Sequence, residues 1–175
     1  MLHRSLTRAG FPNKVRHSMS TYVTTHDDVV RPEWIDSNGH MNLAYYVVLF
    51  DLATDRFYDE IGIGTAYREA SGNSSFVAET HTVYEREVHL GDKVQVRTWL
   101  LAADTKRVHY FHELFHVASG ERSAVQELMA LHIDMRVRRV SPFPPALAKA
   151  LAELVDTYAP ASLPKGTGRR IAMPG

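Results

Sequence analysis

The segment Trp34-Ile35-Asp36-Ser37-Asn38-Gly39-His40-Met41-Asn42 holds the densest group of residues able to do chemistry in this chain. A carboxylate placed where a helix begins faces the positive end of the helix dipole, which favours its ionised form. Such a group can attack an acyl carbon directly or take a proton from an attacking water. The first N–H groups of the helix lack internal partners and can hold a developing oxyanion. Asp36 is therefore the leading catalytic candidate. His40 can orient a substrate or shuttle a proton, and Asn42 can reach the same point from the helix start. Gly39 permits close approach of the backbone to a ligand. Each residue also has a plain role: an Asx turn at Asp36, an ordinary hydrogen-bonded histidine at His40, a helix cap at Asn42.

Further substrate-contacting candidates are Tyr45, early in the same helix, and Glu79 and His81, which share one face of a strand. The chain has ten histidines and no cysteine. His109, His112 and His116 look like a ligand set until their neighbours are read. Val108, Tyr110, Phe111 and Phe115 make this a strand, on which His112 and His116 stand roughly 13 Å apart, too far to share an ion. No metal site is expected. With no G-x-G-x-x-G and no P-loop, no nucleotide cofactor is expected either.

The elements around these residues follow from pattern. Residues 22 to 35 alternate loosely and read as a first strand. The turn Asp36-Ser37-Asn38-Gly39 leads into a helix of about 18 residues with Asn42 as its cap and Gly62 or Gly64 as its stop. Tyr45, Val48, Leu49, Leu52, Phe57 and Ile61 give this helix a broad apolar stripe, beside a partly polar face of Asp51, Asp55, Arg56 and Asp59. A helix so apolar needs burial on most sides. Residues 76 to 90, 94 to 100, 107 to 117 and 124 to 137 alternate as strands and, joined by short turns, predict a four-strand antiparallel meander. Pro142, Pro144 and Pro145 end it, and residues 146 to 157 form a short amphipathic helix.

Length and composition fit one domain with its own core. The expected division is a basic flexible extension over 1–21, a folded domain over 22–158 and a flexible tail over 159–175. The acid-free start carries Arg4, Arg8, Lys14 and Arg16; with Gly10 and Pro12 interrupting it, it reads as an extension rather than a transit peptide. Twenty basic and twenty acidic residues cancel, so no global field draws the protein to nucleic acid or a membrane surface. No apolar run reaches the ~18 residues of a membrane span. The absence of cysteine suits a cytoplasmic location.

The motif Asp36-Ser37-Asn38-Gly39 ahead of a long helix resembles the strand-to-helix junction of hot-dog-fold acyl-CoA thioesterases of the 4-hydroxybenzoyl-CoA thioesterase type. The run Phe76-Val77-Ala78-Glu79-Thr80-His81-Thr82-Val83-Tyr84 and the turn Leu90-Gly91-Asp92 look like their following strand and turn. The pairing of W-x-D-x-N-G-H with E-x-H-x-x-Y, then Leu131-His132-Ile133-Asp134 and Pro142-Phe143, is similar to betainyl-CoA thioesterases of carnitine breakdown. The resemblance spans roughly residues 24 to 157. It implies an α+β hot-dog fold, an antiparallel sheet of about five strands wrapped around a long central helix. It also implies hydrolysis of an acyl-CoA without a cofactor, in a homodimer or dimer of dimers formed through an open sheet edge. Betaine is the implied acyl group; its trimethylammonium would need aromatic faces, for which Trp34, Tyr45, Tyr46, Tyr84 and Trp99 are available. A hot-dog hydratase or dehydratase is the rival enzyme, but such enzymes resemble D-x-x-P-x-H, whereas this chain has D-x-x-G-H without proline. A non-catalytic acyl-thioester binding protein is the rival outside enzymes.

Overall fold

The structure is a computed structural model that describes residues 22–173. The expected N-terminal extension lies outside the described residues. β1 (Thr24–Val29) is followed by a single 3-10 turn (Pro32–Trp34), the long helix α1 (Leu43–Glu60) and a short helix α2 (Thr65–Ser71). Then come β2 (Asn73–Tyr84), β3 (Lys93–Ala103), β4 (Arg107–His116), β5 (Arg122–Asp134), the two-residue β6 (Arg139–Val140) and helix α3 (Pro145–Tyr158). All strand pairings are antiparallel. No described helix is long and apolar enough to cross a membrane.

Along the sheet the strands run β1-β3-β4-β5-β2, with β6 appended to β5. The expected four-strand meander is thus corrected to three strands, β3-β4-β5. β2 does not pair with β3, which follows it; it crosses to the far edge and pairs with β5. The physical reason lies in residues 85 to 92, which are not strand: a tight hairpin joins neighbours, whereas this loop carries the chain past β5 and β4 to reach β3. The first strand is likewise shorter than 22–35, because Pro32 opens a 3-10 turn. The last long strand stops at Asp134 rather than 137. α2 was not anticipated; it has no buried residue and so no apolar stripe to betray it.

α1 lies against the inner face of the sheet. Toward its N-terminal half, Leu49, Phe50 and Ala53 pack with Trp34, Val94, Val96 and Leu114. Toward its C-terminal half, Phe57, Tyr58 and Ile61 pack with Leu100, Val108, Tyr110 and Leu151 of α3. Between these two clusters runs a chain of polar groups. Thr98 Oγ1 meets His112 Nδ1 at 2.9 Å, His112 Nε2 meets Thr54 Oγ1 at 2.9 Å, and the Tyr110 and Tyr58 hydroxyls lie 3.2 Å apart. Burial holds His112 neutral, pushing it down to about 3. Its ring lies flat against Phe50, centroids 5.6 Å apart.

On the outer face, Phe111, Val125 and Leu101 form a smaller cluster. The tail, expected to be flexible, lacks helix and strand but is laid across this face. Arg122 Nη1 donates to the Lys165 carbonyl at 2.9 Å, and the Gly168 N–H donates to Glu127 Oε2 at 2.6 Å.

Candidate active site

The loop between β1 and α1 is closed by its own backbone. Ile35 and Met41 face each other in a single antiparallel bridge, the Asp36 N–H donates to the His40 carbonyl at 3.1 Å, and the Gly39 N–H donates to the Asp36 carbonyl at 3.0 Å. Gly39 sits at φ +83°, a conformation that a side chain would strain. Met41 anchors the far end, its N–H bonded to the Val88 carbonyl and its side chain buried. This holds Asp36 just ahead of α1.

One Asp36 oxygen accepts the Asn38 N–H at 2.8 Å, the Asx turn that its sequence context suggested. The other lies 4.0 Å from His40 Nδ1. Asn42 is the helix cap: its Oδ1 accepts the Ala44 N–H at 3.0 Å. The Ala44 N–H at the helix start is thus capped by Asn42, and Asp36 is tied to its own loop. Tyr45 lies against Trp34, rings 5.6 Å apart and nearly parallel, with the Arg31 guanidinium over Trp34. That makes Tyr45 part of the wall that stiffens the loop.

His40 opens onto a cleft of about 310 Å³ shared with Met41, Leu43, Tyr46, Tyr84 and Glu87. Glu87 Oε1 comes within 3.9 Å of His40 Nε2, so the imidazole stands between two carboxylates. Glu87 was missed, since it reaches the loop from 47 positions away and no local spacing marks it. The Tyr84 hydroxyl donates to the Leu43 carbonyl at 3.3 Å, tying the end of β2 to the start of α1.

Glu79 and His81 go elsewhere. A bulge at Ala78 shifts the strand, so Val77 pairs with Ala130 and Thr80 with Leu128, both core residues of the inner face. Glu79 and His81 alternate with Thr80 and therefore stand on the outer face, in a depression shared with His109, Glu127 and Arg169. There His109 Nε2 meets Glu127 Oε1 at 2.7 Å. The face that Glu79 and His81 share is thus turned away from this chain's own α1. No group of three or more metal-binding side chains occurs among the described residues.

A second cleft, about 400 Å³, lies at the other end of β2, between the C-terminal half of α1 and Ser74–Val77. Asp51, Asp55, Thr54, Tyr58, Arg68 and Ser75 line it. Burial first, then Asp51 and Asp59, raises Asp55 above the usual carboxylate value. The spacing of Asp51 and Asp55, four apart on a helix, was legible as one polar face; that it borders a cleft was not.

Residues 30–151 match the sequence pattern of the thioesterase-like superfamily. Over 156 residues the chain is 38% identical to a betainyl-CoA thioesterase of Pseudomonas aeruginosa, covering 89% of this chain and 98% of that one. It is 34% identical, over 83% of its own length, to an L-carnitine dehydrogenase/betainyl-CoA thioesterase of Rhizobium meliloti, but spans only 29% of that longer protein. Among solved structures, a Staphylococcus aureus protein determined in complex with CoA superposes with a TM-score of 0.80 at 30% identity, covering 91% of this chain and all of that one. A putative thioesterase of Pseudomonas putida gives 0.72 at 34% identity, covering 86% and 96%. A DHNA-CoA thioesterase of S. aureus, at 19% identity and a TM-score of 0.69, shares the fold. With its sheet curled about α1 in the hot-dog manner and its sequence pattern matched along most of the folded region, the chain belongs to the thioesterase-like superfamily.

Proposed function

We propose that this protein hydrolyses an acyl-CoA thioester, betainyl-CoA foremost, at a site built on Asp36 and His40. The observation that carries this reading is the 38% identity to a betainyl-CoA thioesterase over nearly the full length of both chains. Asp36 supplies the carboxylate, as nucleophile on the thioester carbon or as base toward water. In the first case the thiolate of CoA leaves behind an Asp36 mixed anhydride, which water hydrolyses to the free acid. In the second Asp36 takes the water's proton as the water oxygen adds to the thioester carbon, and the thiolate leaves with that proton returned to it. His40 steers a proton, a role supported by its position between Asp36 and Glu87. Asn42 acts through its cap, keeping the start of α1 and its unpaired N–H groups in place for a developing oxyanion. Gly39 and Tyr45 shape the loop. Glu79 and His81 are left out of the substrate site, because they stand on the sheet's outer face.

The working form is a homodimer joined along β2. Among the described residues that strand pairs with β5 alone, leaving its second edge open over 12 residues, a length of edge that proteins seldom leave uncovered.

Release of free thiol from betainyl-CoA, compared with acetyl-CoA, tests the activity. Asp36→Ala is expected to lower kcat/KM on betainyl-CoA by about 100-fold or more with the fold retained. Undiminished hydrolysis in that variant would remove Asp36 from the mechanism, and equal rates on the two thioesters would remove betaine.

A further inference from the structure

The cleft at the start of β2 has a character that hydrolysis at Asp36 does not explain. Two carboxylates, Asp51 and Asp55, stand one helical turn apart on its α1 side, where like charges repel. Across from them the Ser75 hydroxyl oxygen is shielded from solvent and has no hydrogen-bond partner among the described residues, although it lines the same space. Tyr58 forms part of the wall, its hydroxyl already joined to Tyr110, and so offers ring surface rather than a free donor. Arg68 also reaches the cleft, but the carboxylates outnumber it two to one.

A quaternary ammonium has no N–H to donate. It is held by a negative field, by oxygen lone pairs against its methyl groups and by an aromatic face. These are the groups this cleft assembles. Resting on the thioesterase reading above, we propose that the Asp51–Asp55 cleft receives the quaternary ammonium end of the acyl group, and that these two carboxylates select cationic acyl thioesters over neutral ones.

Topology brings this cleft to the reacting end. α1 and β2 run in opposite senses: Tyr84 closes on Leu43 at one end, and Ser74–Val77 meets Asp51–Tyr58 at the other. Two copies pairing antiparallel along the open edge of β2 set the Tyr84 end of one against the Asn73 end of its partner. The His40 cleft of one protomer then adjoins the Asp51 cleft of the other. Each site takes its carboxylate chemistry from one chain and its charge selection from the second.

The test compares betainyl-CoA with 3,3-dimethylbutanoyl-CoA, in which carbon replaces the charged nitrogen at the same shape. The wild-type protein is expected to prefer the charged ester. In the double variant Asp51→Asn, Asp55→Asn the ratio of the two kcat/KM values is expected to fall about tenfold or more. An unchanged ratio, or a wild-type protein with no preference, overturns the inference while leaving thioester hydrolysis intact. A second measurement does not depend on catalysis: tetramethylammonium chloride is titrated into the full chain and backbone amide shifts are followed by NMR, with sodium chloride as the reference. Saturable shifts at residues 51–58 and 74–77, lost in the double variant, support the cleft. Shifts no larger than those from sodium chloride refute it, whatever the hydrolysis assay shows. Absence of thiol release from either ester would instead overturn the thioesterase reading.

Discussion

The two sides of α1 are made of similar residues and meet opposite fates. Leu49, Phe50, Ala53 and Phe57 are at most 1% exposed, sealed against the sheet. Leu43, Val47, Val48 and Leu52 on the other side are 38–62% exposed, although they are no less apolar. Scattered exposed leucines and valines are ordinary, but Leu43 shares a cleft with Tyr84 at the end of β2, Val47 follows it one turn later on the same face, and Phe76, Val77 and Tyr84 of the β2 edge strand are exposed as well. One side of the helix has found its partner within the chain; the other has the character of a surface meant for a second chain.

Three substitutions on or beside α1 probe this contrast. Phe50→Ala removes a ring packed on His112 from the sealed side and is expected to cost about 3–5 kcal/mol, read from the urea midpoint. A cost below about 1 kcal/mol would mean that the core collapses around the gap. Asn42→Ala deletes the cap bond to Ala44 and is expected to cost about 1 kcal/mol, with a further fall in kcat because the helix start frays beside Asp36. Loss of stability with kcat untouched would separate the cap from the chemistry. Val47→Glu, one turn after Leu43 on the side toward β2, is expected to change protomer stability by about 0.5 kcal/mol or less while shifting sedimentation from dimer to monomer. A dimer that survives this change would place the contact elsewhere.

Much of this was legible beforehand. The alternation of Val94, Val96, Thr98 and Leu100 with polar neighbours marked β3 and its inner face, and all four are buried. Asn42 read as a cap and is one. Asp36 read as an Asx turn and makes one, and the motif around it led to the superfamily that comparison supports. What stayed hidden depended on distant pairings. Neither the placement of β2 beside β5 nor the approach of Glu87 to His40 leaves a local spacing to read. The bulge at Ala78 passed unseen because alternation looks the same on both sides of an inserted residue until the partner strand is known.

By itself, the order of residues determined the kinds of elements, most of their boundaries and the motif by which the superfamily is recognised, because periodicity, caps and turns act over a few residues. Only the tertiary structure decided strand order, which face Glu79 and His81 occupy, and that Asp51 and Asp55 look across a cleft at Ser75. These depend on which segments, tens of residues apart, bury the most apolar surface together, and that is a property of the whole chain packing at once.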